Sequence, residues 1–176
     1  MTTKPSAAPY FQNVIEPEPL TTNTKPVANP LLYNAEDISN LPLEGFVDST
    51  LGGDVTWRTL ISAPNTPTNT FTVGIATCPS KKKTGCRGTL NPHRHKQAEM
   101  YHITQGKGIV TIDGKEHMVS KGSVLWIPGD AEHGTENIGD EDLVWLYVFA
   151  VGGFGEVEYK FSEGPAGKKT GGRAKL

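Results

Sequence analysis

Cysteine is scarce in this chain: Cys78 and Cys86 are the only two among 176 residues, too few for a disulfide-stapled scaffold. No apolar run approaches the ~20 residues that carry a helix across a bilayer. The opening MTTKPSAAPYF has a cation but no apolar stretch after it, which predicts no secretory signal. There is no cationic excess either. Seventeen Lys and Arg stand against nineteen Asp and Glu, and the net charge of -2 excludes charge-driven capture of nucleic acid. Lys168, Lys169, Arg173 and Lys175 lie in an acid-free segment, 164–176, which leaves 13 cations against 19 acids, a net -6, elsewhere. Core formers are few, at 36% of residues, while 20 Gly and 13 Pro supply turns. These features read as a soluble, cytoplasmic, single-domain protein with no membrane and no nucleic-acid partner.

Six of the prolines fall in residues 1–30, among Thr and Asn with no apolar period. This predicts an extended N-terminal arm over 1–49, with one short helical turn inside Asn34–Leu43 ahead of Pro42. From Val55 the texture changes. VTWRTLIS, TFTVGIATC, EMYHIT, KGIVTID, KEHMVS, SVLWIP, DLVWLYVFAV and GEVEYKF are short runs of β-branched and aromatic residues, separated by Gly, Asn-Pro or charged turns. Asp113-Gly114 between two of them is a two-residue hairpin signal. Strands do not alternate with helices, so the body over 50–161 should be an antiparallel sandwich or barrel. The segment 162–176 reads as a flexible basic tail.

Of five histidines, three form a pattern. His93, His95 and Glu99 lie in HRHKQAEMYH, and His133 in PGDAEHGTEN. Residues two apart in a strand share a face, so the first two imidazoles point the same way, about 6–7 Å apart along the backbone. Glu99 and Tyr101 keep that parity across a short interruption. Three imidazoles and one carboxylate suit one divalent transition metal (Fe, Mn, Zn, Ni or Co) with coordination positions left for substrate. Solvated surface histidines are the alternative. His102 and His117 have the wrong parity or lie outside the pattern and read as surface residues.

The spacing His93-x-His95-x3-Glu99-x6-Gly106 resembles the first motif of the cupin superfamily, and Gly122-x5-Pro128-x4-His133-x3-Asn137 its second. The pattern departs at Gly88, five rather than six residues before the first histidine, and at Asp130, where glycine is usual. The resemblance implies an all-β fold, an antiparallel double-stranded β-helix (a jelly-roll barrel), with the metal inside, held by His93, His95, Glu99 and His133. Cupins include dioxygenases, decarboxylases, isomerases, lyases, sugar-sensing regulators and storage proteins. Retention of all four ligands argues against storage, and the proline-rich arm offers no helix-turn-helix for a regulator.

Tyr101 separates the enzyme readings. By parity it faces the interior beside Glu99, either as wall packing or as a general base. A phenol near a cation is acidified, and a metal-bound carboxylate substrate loses its α-proton more readily. Glu99-Met100-Tyr101-His102 resembles the segment of cupin dimethylsulfoniopropionate lyases, which release acrylate and dimethyl sulfide by β-elimination. The expected function is therefore a metal-dependent lyase acting on a small carboxylate. The alternatives are an Fe(II) dioxygenase and a small-molecule isomerase or binding cupin. Arg58 would pair a substrate carboxylate if it faced inward, and is otherwise solvated. Cys78 and Cys86 are expected as free thiols in an exposed hairpin.

DLVWLYVFAV is apolar on both faces. Its outer face, assigned to Trp145, Tyr147 and Phe149 or their neighbours, needs a cover from a second sheet, the proline-rich arm or a partner subunit, and the expected state is a homodimer. In a eukaryotic source the terminal Ala174-Lys175-Leu176 would act as a variant of the Ser-Lys-Leu peroxisomal address.

Overall fold

A computed structural model describes residues 29–162. The N-terminal 28 residues and the terminal Ala174-Lys175-Leu176 lie outside the described residues, as does nearly all of the expected basic tail.

Two antiparallel sheets build the body between residues 32 and 162. The first runs in the order β1 (Glu44–Gly45), β2 (Thr56–Ile61), β3 (Thr72–Cys78), β10 (Leu143–Phe149), β5 (Glu99–Gln105), β8 (Val124–Ile127). The second runs β11 (Lys160–Phe161), β4 (Thr89–Arg94), β9 (His133–Asn137), β6 (Lys107–Ile112), β7 (Lys115–Ser120). All pairings are antiparallel, and the helical pieces are single turns. The fold is all-β, as the pattern of short runs implied.

Local chemistry sets the edges of these elements. Asn34 caps α1 (Ala35–Asn40) reciprocally: its side chain accepts from the Asp37 N–H, and Asp37 accepts from the Asn34 N–H. The helix stops at Leu41, whose extended backbone is the conformation favoured before Pro42. Between β6 and β7, Asp113 and Gly114 both take positive φ, 45° and 77°, so Ile112 pairs with Lys115 across a tight turn. Phe46, which precedes the expected barrel start at residue 50, meets Trp57 at a tilt and Tyr159 and Phe161 edge-to-face, at 5.0–5.2 Å. β1 pairs with β2 alongside it. The end of the arm therefore belongs to the body, because an aromatic there completes the apolar wall.

Burial alternates strictly along β3 and β10. On β10 the inward residues are Leu143, Trp145, Tyr147 and Phe149, all at most 4% exposed, with Val144, Leu146 and Val148 on the outer face. The expected outer face thus falls on the neighbours and not on Trp145, Tyr147 and Phe149. The gap between the sheets needs large rings to fill it. Gly74 on β3 leaves the space for Tyr147: a Cβ there would collide with the phenol. Cys78 is fully buried and Cys86 exposed, so the two thiols do not share an exposed hairpin.

Besides the two-residue β1, strands β4 and β9 lie outside the eight apolar runs. Their inward residues include His93, His133, Thr135 and Asn137, so a search for apolar alternation passes over them. Asn91-Pro92 sits inside β4 and not in a turn. Proline donates no hydrogen bond, and the ladder to β9 breaks register between Leu90 and His93. By contrast, GEVEYKF is strand only at its last two residues. A 3-10 turn (Phe154–Glu156) and an extended segment occupy the rest.

Asn137, the last residue of the second motif, is a strut. Its amide donates to the carbonyls of Cys78 (3.0 Å) and Glu141 (2.9 Å), and its Oδ1 accepts from Gly139 N–H (2.8 Å). Asn137→Ala leaves buried carbonyls without their donor. It should lower unfolding stability by about 2–4 kcal/mol, measured as a shift in the urea midpoint at constant m-value.

Candidate metal centre

The break at Pro92 restores register with His93 directly opposite His133, which places their rings 4.2 Å apart. His95 follows the end of β4, where its carbonyl accepts from the Asp130 N–H (2.7 Å), and its ring lies 5.5 and 4.9 Å from the other two. Glu99 opens β5 on the facing sheet. Its carboxylate stands 3.4 Å from His95 Nε2 and 3.3 Å from His133 Nε2. One ring nitrogen of each histidine lies within 4.8 Å of the others. His93, His95, Glu99 and His133 are all at most 3% exposed, so the solvated-surface alternative is excluded.

Protonation follows from the carbonyls behind each ring. His93 Nδ1 meets the Asn91 carbonyl, His95 Nδ1 that of Gln97 and His133 Nδ1 that of Ala131, each at 2.9 Å. A carbonyl only accepts, so each Nδ1 carries the proton and each Nε2 presents a lone pair inward. The three Nε2 atoms and Glu99 Oε2 are all buried without a hydrogen-bond partner. Four acceptors converge with no donor between them, which is the condition a cation satisfies. Burial, with His133 and His95 nearby, holds His93 well below the usual histidine range. These residues can hold a metal ion.

Tyr101 is 1% exposed, with its ring 6.4 Å from that of His133 and 5.3 Å from that of Trp145. Burial first, and then the Glu99 charge, push its phenol well above 10. It lines an interior cavity of about 20 Å³ together with Glu99, Trp57, Trp145, Tyr147 and Tyr159. That volume admits about one water molecule, so an organic ligand enters only when the wall moves. A surface concavity of about 640 Å³ around Lys107, Lys121 and Asp140 contains none of the site residues.

Arg58 is not part of the site. Its guanidinium donates to the carbonyls of Leu41 (3.2 Å) and Ser39 (3.4 Å), tying down the end of α1. His102 is exposed and His117 half-buried, both away from the cluster. The residues that sequence reasoning missed are those covering the metal ligands. Tyr159 lies 4.8 Å from His93 and 5.5 Å from His95, and Phe161 pairs with His93 through β11. The strict alternation Val157-x-Tyr159-x-Phe161, with exposed Glu158 and Lys160 between, is the signal that marks them. Ser162 N–H donates to the Pro92 carbonyl (2.9 Å), and Gln97 donates to the Glu156 carbonyl (3.1 Å). Those bonds fix the covering segment at both ends.

Residues 85–149 match the cupin domain family. The dimethylsulfoniopropionate lyase DddW of Ruegeria pomeroyi is 43% identical over 129 residues, covering 73% of this chain and 80% of that one. The chain belongs to the cupin family. A gentisate 1,2-dioxygenase of a Streptomyces species is 33% identical to this cupin over 63 residues, 35% of this chain but 18% of the relative. The cupin fold itself is supported by a predicted oxalate decarboxylase of Thermotoga maritima. Its structure superposes with a TM-score of 0.54 at 23% identity, covering 64% of this chain and 95% of that one.

Loss of an outer-shell partner typically lowers metal affinity 10–100-fold, and loss of a direct ligand should cost more. His93→Ala, His95→Ala and His133→Ala should each retain less than about a tenth of the wild-type metal content after dialysis. Elemental analysis per chain reads this directly, and full occupancy in all three would exclude the cluster as the metal site.

Proposed function

We propose that this cupin is a metal-dependent lyase that eliminates a β-onium group from a small carboxylate, with dimethylsulfoniopropionate as the leading substrate. The carrying observation is that Tyr101 and Glu99 line one narrow pocket whose remaining walls are largely aromatic. The relationship to DddW supports the substrate class. Ring faces attract a permanently charged sulfonium or quaternary ammonium without a hydrogen bond, and exclude the water that would compete.

In this reading His93, His95, Glu99 and His133 hold one divalent transition metal. A divalent cation there supplies positive charge that acidifies a carbon next to a bound carboxylate and reverses the field that keeps the Tyr101 phenol protonated. The phenolic oxygen of Tyr101 removes the α-proton. The C–H electron pair becomes the new C=C bond, and the C–S pair departs with dimethyl sulfide, leaving acrylate. Tyr147, Trp145 and Phe154 enclose the leaving group on the side of the first sheet. The His93 and His95 rings are held in place by Tyr159 on one side and their carbonyl partners on the other.

An Fe(II) dioxygenase is the second reading, supported by the short match to gentisate 1,2-dioxygenase. Oxygen separates the two. Dimethyl sulfide release from dimethylsulfoniopropionate should persist under anaerobic conditions. Tyr101→Phe should keep its metal and its melting temperature but lose ~10²–10⁴-fold in turnover, the usual contribution of a general base. Wild-type activity that vanishes without O₂ would reject the lyase. Activity that survives the Phe substitution would return Tyr101 to a packing role.

The proposal includes a homodimer formed through the outer face of the first sheet. Val144, Leu146 and Val148 are only half-buried there, and Trp126, paired with Met100, is 67% exposed. A two-fold axis sets the same apolar patch against itself. Light scattering should give twice the chain mass at micromolar concentration, and Trp126→Lys should shift it toward the single-chain mass. A wild-type monomer would refute the dimer.

A further inference from the structure

Trp57, on β2, is 4% exposed, and its Nε1–H has no acceptor among the described residues. Native interiors seldom leave a buried donor in that state. The ring is not free to turn toward another partner: Phe46 packs against it at 5.0 Å and Phe154 meets it edge-on at 5.8 Å. It lines the same cavity as Glu99 and Tyr101. The tyrosine hydroxyls on that wall can donate or accept, whereas an indole N–H only donates. Glu99 is the one acidic residue lining the cavity, so a divalent cation beside it leaves an excess positive charge in a place without solvent. Burial of that excess favours a ligand whose inner end is anionic. Trp57 and Glu99 line the same narrow pocket, so an anionic group admitted as its wall moves faces both the candidate metal centre and the indole.

We propose that Trp57 is a specificity-determining residue whose Nε1–H donates to a carboxylate oxygen of the substrate. This rests on the lyase reading for the identity of the substrate, but not for the bond itself. The donor fixes which end of a zwitterionic substrate enters first: the carboxylate toward Trp57 and the metal centre, the onium toward the ring faces. A fixed N–H directed at the carboxylate also disfavours the reversed pose, in which a cationic group would meet a donor.

The test uses the zinc-loaded, full-length protein, which is diamagnetic, with indole nitrogens labelled with ¹⁵N and acrylate as the probe. The Trp57 indole cross-peak, assigned through its own backbone, should move downfield on titration as the N–H acquires a charged acceptor. The cross-peak of exposed Trp126 should stay in place. Trp57→Phe keeps an aromatic ring in the wall and removes only the donor side of the indole. It should weaken acrylate binding about 10–100-fold, the range of a charge-assisted hydrogen bond. In turnover it should raise KM more than it lowers kcat, as expected for an interaction present in ground and transition states alike.

If the Trp57 cross-peak does not respond to acrylate, the assignment is overturned whether or not the variant folds. If it does not respond while dimethyl sulfide is still released, the lyase stands and only the Trp57 role fails. A cross-peak that moves in a protein without elimination activity retains the carboxylate anchor and removes the lyase.

Discussion

Four acceptor atoms facing one another where water cannot reach set the terms for the rest of this structure. Without a cation between them, the Nε2 atoms of His93, His95 and His133 and the carboxylate of Glu99 are mutually unfavourable. The fold holds them there by spending backbone carbonyls on the outer nitrogens, at 2.9 Å in each ring. That arrangement settles the tautomer before any metal arrives. A metal ion that binds only the folded chain then stabilises it, and loading and folding become thermodynamically linked.

Placing such a cluster inside inverts the usual relation of core to surface. The centre of the body is polar and the shell around it is aromatic: Trp57, Tyr101, Trp145, Tyr147, Phe154 and Tyr159 face inward, while aliphatic Val144, Leu146 and Val148 face out. Large rings bridge the distance between the two sheets with few rotatable bonds. They also displace water, whose reorientation screens charge, so every charge near Glu99 acts at greater strength than it would in water. Burial first, and the Glu99 charge after it, raise the phenols of Tyr101 and Tyr159.

The sequence made the ligand set legible because period-two spacing survives the break between β4 and β5. His93, His95, Glu99 and Tyr101 all point inward as their parity required. The Asp113-Gly114 hairpin was legible for a similar reason, since its backbone demands are local. What parity cannot supply is the sign of a face. Val144 and Trp145 are equally apolar, and only the gap between the sheets decides which goes in. Arg58 was ambiguous on the same ground, and its partners, the carbonyls of Ser39 and Leu41, lie at the end of α1, 19 and 17 residues earlier in the chain. Tyr159 and Phe161 are not marked as site residues by local pattern because their relation to His93 is set by an edge pairing of residues 68 apart in the chain, a nonlocal contact that no window reveals.

The strand that carries Phe161 beside His93 is two residues long, the shortest in its sheet, and it sits at the edge. Short edge elements open at a small fraction of the free energy that unfolds the whole domain. The Ser162 N–H, which donates to the Pro92 carbonyl, is therefore a clock for the candidate metal centre. An opening of this edge that frees the Ser162 amide to exchange also lifts the neighbouring Phe161 ring from His93, so the exchange rate there sets an upper limit on how often a molecule can enter by that side.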